Sequence, residues 1–314
     1  MQSTAPDHDD TLAPATKAAR RWVPFCVAIA LTGCGPAPDA GPTGEHALAP
    51  PATDDIATAA SATSGAPMQY HGGRLMTGKV SVYLVWYGGW SSSSRAILED
   101  FTKSIGASPY YAINGTYHDG QGKHPGSDVV LAGSLKDEYS RGKVVAQADI
   151  VAILKSAIAT KHLPLDAHGV YFVLTSSDVK QAGFCTAFCG WHTHLPINGT
   201  DVAYAWVGNA ATQCPASCGV RALGPNGDPG ADAMASVIAH ELDETVTDPS
   251  LDAWSDTTGA ENADKCAWTF GTTYKTKSGA VANMKLGTRD FLIQRNWVNA
   301  PSGGVCALSA SGGG

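Results

Sequence analysis

His240 and Glu244 stand four residues apart, with Glu241 between them, in the stretch VIAHELDETVTDPSLDAW at 237–254. On a helix that spacing stacks an imidazole and a carboxylate one turn apart, where both can grip one ion. The pattern is HExxH with its last letter changed to glutamate. In HExxH the two imidazoles bind a metal and the intervening glutamate is a general base. A carboxylate in place of the second imidazole still binds zinc, but it adds negative charge and lowers the Lewis acidity of the ion. It also shifts preference towards harder cations such as calcium or manganese. The expectation is a divalent metal, zinc first, on His240 and Glu244, with Glu241 as the catalytic base.

Such a site needs a third ligand. Glu261 and Asp264 lie in GAENADKCAW just before Cys266, and a disulfide there would hold either carboxylate in place. Asp248 is a further contender, although Pro249 disfavours a helical residue before it and so ends the helix. His192 and His194 in CGWHTH share one face of an extended segment. They are either a second arm of the site or two polar residues on an exposed strand. The isolated His71, His118, His124, His162 and His168 are expected at surface or structural positions.

A helical projection tests the site. At about 100° per residue, with His240 at zero, Glu244 falls near 40°, Val237 near 60°, Asp248 near 80° and Glu241 near 100°. Ala235, Ile238, Ala239, Leu242 and Val246 fill a continuous arc at roughly 160–260°, suited to packing on a sheet. Ser236, Asp243 and Thr247 take the remaining sector. His240, Glu241, Glu244 and Asp248 share one sector with no Lys or Arg among them, and a bound cation would relieve the repulsion of the three carboxylates.

The elements that must position this helix follow from the pattern upstream. Lys79–Trp90 alternates and is rich in β-branched and aromatic residues, which predicts a strand. The serines after Trp90 offer an N-cap, and Ile97, Phe101 and Ile105 repeat at helical spacing. Asp128–Ser134 predicts a second strand, Ala146–Lys161 an amphipathic helix, Gly169–Ser176 a buried strand and Val202–Gly208 another. GPNGDPGADA then turns the chain into the motif helix. Strands alternate with helices before a metal-motif helix, an order that resembles the N-terminal half of zinc-dependent peptidases. The expected fold is α/β (α+β): a zincin-like single domain over residues 68–314, with a twisted mixed sheet, helices including the HExxE helix, and disulfides.

Residues 1–34 read as a targeting segment. Lys17, Arg20 and Arg21 precede the short apolar run WVPFCVAIAL and then LTGC, a lipobox-like ending at Cys34. The expectation is a signal peptide whose cysteine becomes a lipid-bearing N-terminus on a membrane, with plain secretion or a single anchor as alternatives. Residues 35–67, rich in Ala, Pro, Gly and Thr, are expected as a disordered tether. A formal charge of −7 and the lack of a Lys/Arg cluster in the domain exclude nucleic acid as the expected partner. Six cysteines follow Cys34, at 185, 189, 214, 218, 266 and 306. In an exported chain they favour three disulfides. The two C-x3-C pairs could instead form a four-thiolate zinc site. Cys266–Cys306 is the pair left over if the two close clusters satisfy themselves, singly or crosswise.

Several longer stretches carry a family resemblance: FCTAFCGWHTH at 184–194, AYAWVGNAATQCPASC at 203–218, PNGDPGADAMASVIAHELDETVTDPSLDAW at 225–254, ENADKC at 261–266 and RDFLIQRNWVNAPSGGVC at 289–306. Together with VSVYLVWYGGW they resemble the plant EXORDIUM and phosphate-induced protein family. The resemblance implies an extracellular, cell-wall-associated protein with no firmly established activity, and a glutamate at the position of Glu244. Two functions are then expected. One is a metal-dependent hydrolase, such as a peptidase, acting on an extracellular peptide or polymer. The other is a non-catalytic domain that binds cell-wall carbohydrate or another partner, with a structural ion or none. Trp86, Tyr87 and Trp90 are either a sugar-stacking surface or buried core.

Overall fold

The computed structural model describes residues 46–49, 64–220 and 223–311. Six segments build its main sheet: β1 (His46–Leu48), β2 (Val80–Tyr87), β3 (Val129–Asp137), β4 (Gly169–Thr175), β5 (Gly190–Ile197) and β6 (Thr200–Gly208). Their spatial order is β1-β5-β6-β4-β2-β3. β3, β2, β4 and β6 run parallel, whereas β5 is antiparallel to β6 and β1 antiparallel to β5. Parallel strands covered on both faces read as unbroken apolar runs. Accordingly all of β4 is buried, and all of β2 except Ser81. The alternation expected in Lys79–Trp90 therefore does not divide a wet face from a dry one.

Among the described residues three α-helices complete the frame: α1 (Ser92–Ile105), α2 (Gln147–Ala159) and α3 (Pro229–Thr247). The starts of α1 and α3 have a local cause. Ser91 accepts a hydrogen bond from the Ser94 amide to start α1, and Asp228 accepts from the Ala231 amide ahead of Pro229 to start α3. α3 stops before Asp248-Pro249. Asp248, a contender for the metal, is spent on that ending: its Oδ1 accepts the amides of Asp252 and Ala253.

β5 and β6 are joined by Asn198-Gly199, with φ of +49° and +80°. Two successive positive φ values define the tight hairpin turn whose twist matches the strands it joins. That turn sets the register, pairing Ala205 with His192 and Val207 with Gly190. A one-residue slip would turn both away from α3.

The cysteines pair as Cys185–Cys214, Cys189–Cys218 and Cys266–Cys306. The two C-x3-C pairs thus cross-link with each other, which removes the four-thiolate zinc alternative. Three disulfides place the domain in an oxidising, extracytoplasmic compartment. Two short segments of the stretch read as a tether pair with strands of the domain. His46–Leu48 lies along the edge of β5, Leu48 is fully buried, and Ser64–Gly65 pairs with Gly304–Val305. An exposed strand edge gains hydrogen bonds from any extended segment laid against it, and composition alone does not reveal that partner. The expected signal peptide, lipobox and Cys34 lie outside the described residues. Among the described residues no helix is long and apolar enough to cross a membrane.

Candidate metal centre

α3 is buried on every side, each residue from Gly230 to Thr247 included. Beyond the apolar arc, the acidic sector is covered as well. His240, Glu241 and Glu244 have zero accessible surface. β5 is one of its covers. At Gly190 an added Cβ would stand 2.5 Å from Val237 Cγ1 and 2.9 Å from Glu241 Oε1, so only glycine lets strand and helix come this close.

Two residues beyond Gly190 on the same strand face, His192 reaches the acidic sector. Its Nδ1 lies 3.4 Å from Glu241 Oε2 and 3.4 Å from Glu244 Oε2, and its Nε2 is 3.6 Å from Glu261 Oε2. Of the pair in CGWHTH, His192 is therefore fully buried against α3 and does not lie on an exposed strand face. His194, on the same face but nearer the rim, instead pairs with Asp201 on β6 at 2.7 Å.

The loop 261–266 supplies the other cover. His240 Nε2 is 2.9 Å from Glu244 Oε1 and 3.5 Å from Asp264 Oδ1. The Asp264 amide also donates to Glu244 Oε1 at 3.1 Å. Glu261 and Asp264, interchangeable in sequence, therefore have different neighbours: Asp264 stands with His240, and Glu261 faces His192. The loop is tied down by the Cys266–Cys306 bond and by a buried amide cluster. Asn262 Nδ2 donates to the Asp243 carbonyl and to Asn114 Oδ1, while Asn114 Nδ2 donates to Asp243 Oδ1 at 2.6 Å.

Electrostatics follow from this crowding. Burial disfavours the imidazolium of His192, but Glu261, Glu241 and Glu244 outweigh it and hold its pKa well above the histidine range. His240 is raised in the same way, by Glu244 and Asp264 against burial. Burial would raise Glu244, yet His240 and His192 win and hold it far below the usual carboxylate range. Glu241 is pushed up to about 7, mainly by burial. Asp243 is likewise pushed up to about 7 by burial, with the Asn114 amide opposing.

The donor set fits a metal. Two sets of ligand atoms each lie within 4.8 Å of one another: His192, Glu241 and Glu244, and His240, Glu244 and Asp264. Glu241 Oε1 and His240 Nδ1 are buried without a hydrogen-bond partner among the described residues, where desolvated polar atoms are costly. Away from this centre, Trp86 and Tyr87 are core, 1% and 0% exposed, so they do not form a sugar platform. Trp90 is half-buried and borders a cavity of about 330 Å³ with Lys136, Glu138 and Tyr139.

The model of the phosphate-induced protein 1 conserved region matches residues 68–293, which span the sheet from β2 to β6, α3 and the 261–266 loop. The chain belongs to the phosphate-induced protein 1 family. Protein EXORDIUM-like 3 of Arabidopsis thaliana is 34% identical over 274 residues, covering 75% of this chain and 81% of the relative. Protein EXORDIUM-like 5 of the same plant is 32% identical over 281 residues, covering 76% and 77%. Protein PHOSPHATE-INDUCED 1 of Nicotiana tabacum is 34% identical over 212 residues, covering 58% and 65%. No solved structure matches the chain. This family member carries its centre wholly inside the matched region.

Proposed function

We propose that this family member is an exported, lipid-anchored surface protein whose zincin-like domain is built around a buried divalent-metal centre. The observation that carries this reading is the zero exposure of His192, His240, Glu241 and Glu244 in contact with one another. Even after relaxation, each buried ion costs several kcal/mol. A dication would compensate the carboxylates in place of protons on the imidazoles. An imidazole in each ligand set favours zinc, with manganese next, over calcium, which takes oxygen ligands. Structural zinc sites are closed whereas catalytic ones keep an open position. The burial therefore favours an ion that stiffens the domain. A polymer or peptide partner would bind elsewhere, and the crevice at Trp90 and Tyr139 is the candidate.

Hydrolysis is the second reading, and Glu241 favours it. Its carboxylate stands beside His192 and Glu244, the place from which a general base takes a proton from water. The side chain of Asp264 is 24% exposed and marks the side from which substrate would approach. Elemental analysis of the purified full chain, followed by chelation and calorimetry, tests the metal reading. Stoichiometric metal is expected, together with a fall in Tm on chelation that zinc reverses. Neither metal nor a Tm response would sink it. Hydrolysis that is lost in Glu241→Gln with metal retained would establish the enzyme. Mass spectrometry of the mature N-terminus tests lipid on Cys34.

A further inference from the structure

We infer that the centre holds two divalent ions bridged by Glu244; the inference rests on the metal reading above. The two oxygens of Glu244 face different imidazoles. Oε2 is 3.4 Å from His192 Nδ1, and Oε1 is 2.9 Å from His240 Nε2. Zinc–ligand bonds of about 2.0–2.1 Å in tetrahedral geometry place neighbouring ligand atoms about 3.3 Å apart. The contacts of His192 with Glu241 and Glu244, and of His240 with Glu244 and Asp264, measure 2.9–3.5 Å. They match edges of two coordination spheres that share one carboxylate. His192 and His240 fall in different ligand sets, so one ion between them would forgo one imidazole. A carboxylate bridge is the arrangement that holds two ions about 3.5–4 Å apart in two-metal sites.

The remaining groups fit as supports. His192 offers Nδ1 to the first ion position and turns Nε2 to Glu261 at 3.6 Å. A carboxylate behind a ligating imidazole fixes the tautomer and the ring orientation. Glu261 is thus a positioning residue. The Asp264 amide does the same for the bridge, donating to Glu244 Oε1. Charge also balances. Glu241, Glu244, Glu261 and Asp264 carry four negative charges when ionised, which two dications neutralise with both imidazoles neutral.

The test loads the chelated full chain with Mn²⁺ or with Zn²⁺, removes excess ion by dialysis and counts bound metal by elemental analysis. Two equivalents per chain are expected, and the manganese form should give the electron paramagnetic resonance signature of two exchange-coupled ions. His192→Ala and Asp264→Asn should each retain one equivalent and lose the coupling, while His194→Ala should retain two. One equivalent in the unaltered chain at saturation would overturn the two-ion centre and leave the single-metal reading standing. No bound metal would remove both. If His192→Ala does not fold, judged by circular dichroism, the stoichiometry and coupling of the unaltered chain and of Asp264→Asn still decide the question.

Discussion

Gly190→Ala tests the closeness of β5 and α3 on which the whole centre depends. The φ of Gly190 is not in the left-handed region, so alanine can adopt the backbone and the effect is steric. The new methyl would meet Val237 Cγ1 at 2.5 Å, Glu241 Oε1 at 2.9 Å and the Trp206 carbonyl oxygen at 3.2 Å. Ordinary contacts are nearer 3.5–4.0 Å, so strand and helix must part by about 1 Å or Val237 must leave its rotamer. Overpacking of this kind costs about 1–3 kcal/mol, and alanine returns about 0.4–1 kcal/mol through the unfolded chain. The net loss is about 1.3 kcal/mol, which in a domain of this size is a fall in Tm of about 3–5 °C. Calorimetry of the chelated protein measures that term. Adding zinc then asks a second question, because the methyl also displaces Glu241. The zinc-induced rise in Tm should be smaller in the variant than in the parent. Gly115→Ala, where an added Cβ has nothing within 4 Å, is the control. If Gly190→Ala melted with the parent and responded equally to zinc, the close approach of strand and helix would be wrong.

Two further outcomes are expected. Removing the Cys266–Cys306 bond, with its sequence separation of 40, should cost about 4 kcal/mol through unfolded-chain entropy; it should also weaken zinc retention, because the same bond holds the loop of Glu261 and Asp264. Urea midpoints and metal content measure the two effects, and unchanged metal content would show the loop to be held without it. Asp243→Asn keeps the acceptor for Asn114 Nδ2 but cannot ionise. The folded carboxyl of Asp243 is raised to about 7 from 3.8, so its stabilising contribution is complete below 3.8 and is lost as pH climbs towards 7. The variant should therefore lose less stability than the parent between pH 5 and 8. Parallel profiles in urea would refute the assignment.

The local features of α3 were legible in the sequence. Asp228-Pro229 marks its start, Asp248-Pro249 its end, and the projection at about 100° per residue gathers His240, Glu241 and Glu244 into one sector. Such features depend on neighbours a few residues away, which share a helix face whatever the rest of the chain does. The family could also be read from the long stretches around that helix. What lay beyond reach depends on register and packing. His192 stands 48 positions before His240, and the two meet Glu244 only because the Asn198-Gly199 turn fixes β5 against β6 and Gly190 admits α3 beneath it. A signal was present, in the two-residue spacing of Gly190, His192 and His194, but it does not say which histidine faces the helix and which the rim. The choice between Glu261 and Asp264, the crosswise pairing of the first four domain cysteines, and the docking of His46–Leu48 were likewise undetermined. Composition and periodicity report what a segment can do alone. Which distant segment covers it, and so whether an acidic face is wetted or enclosed, is decided only when the sheet closes over the helix.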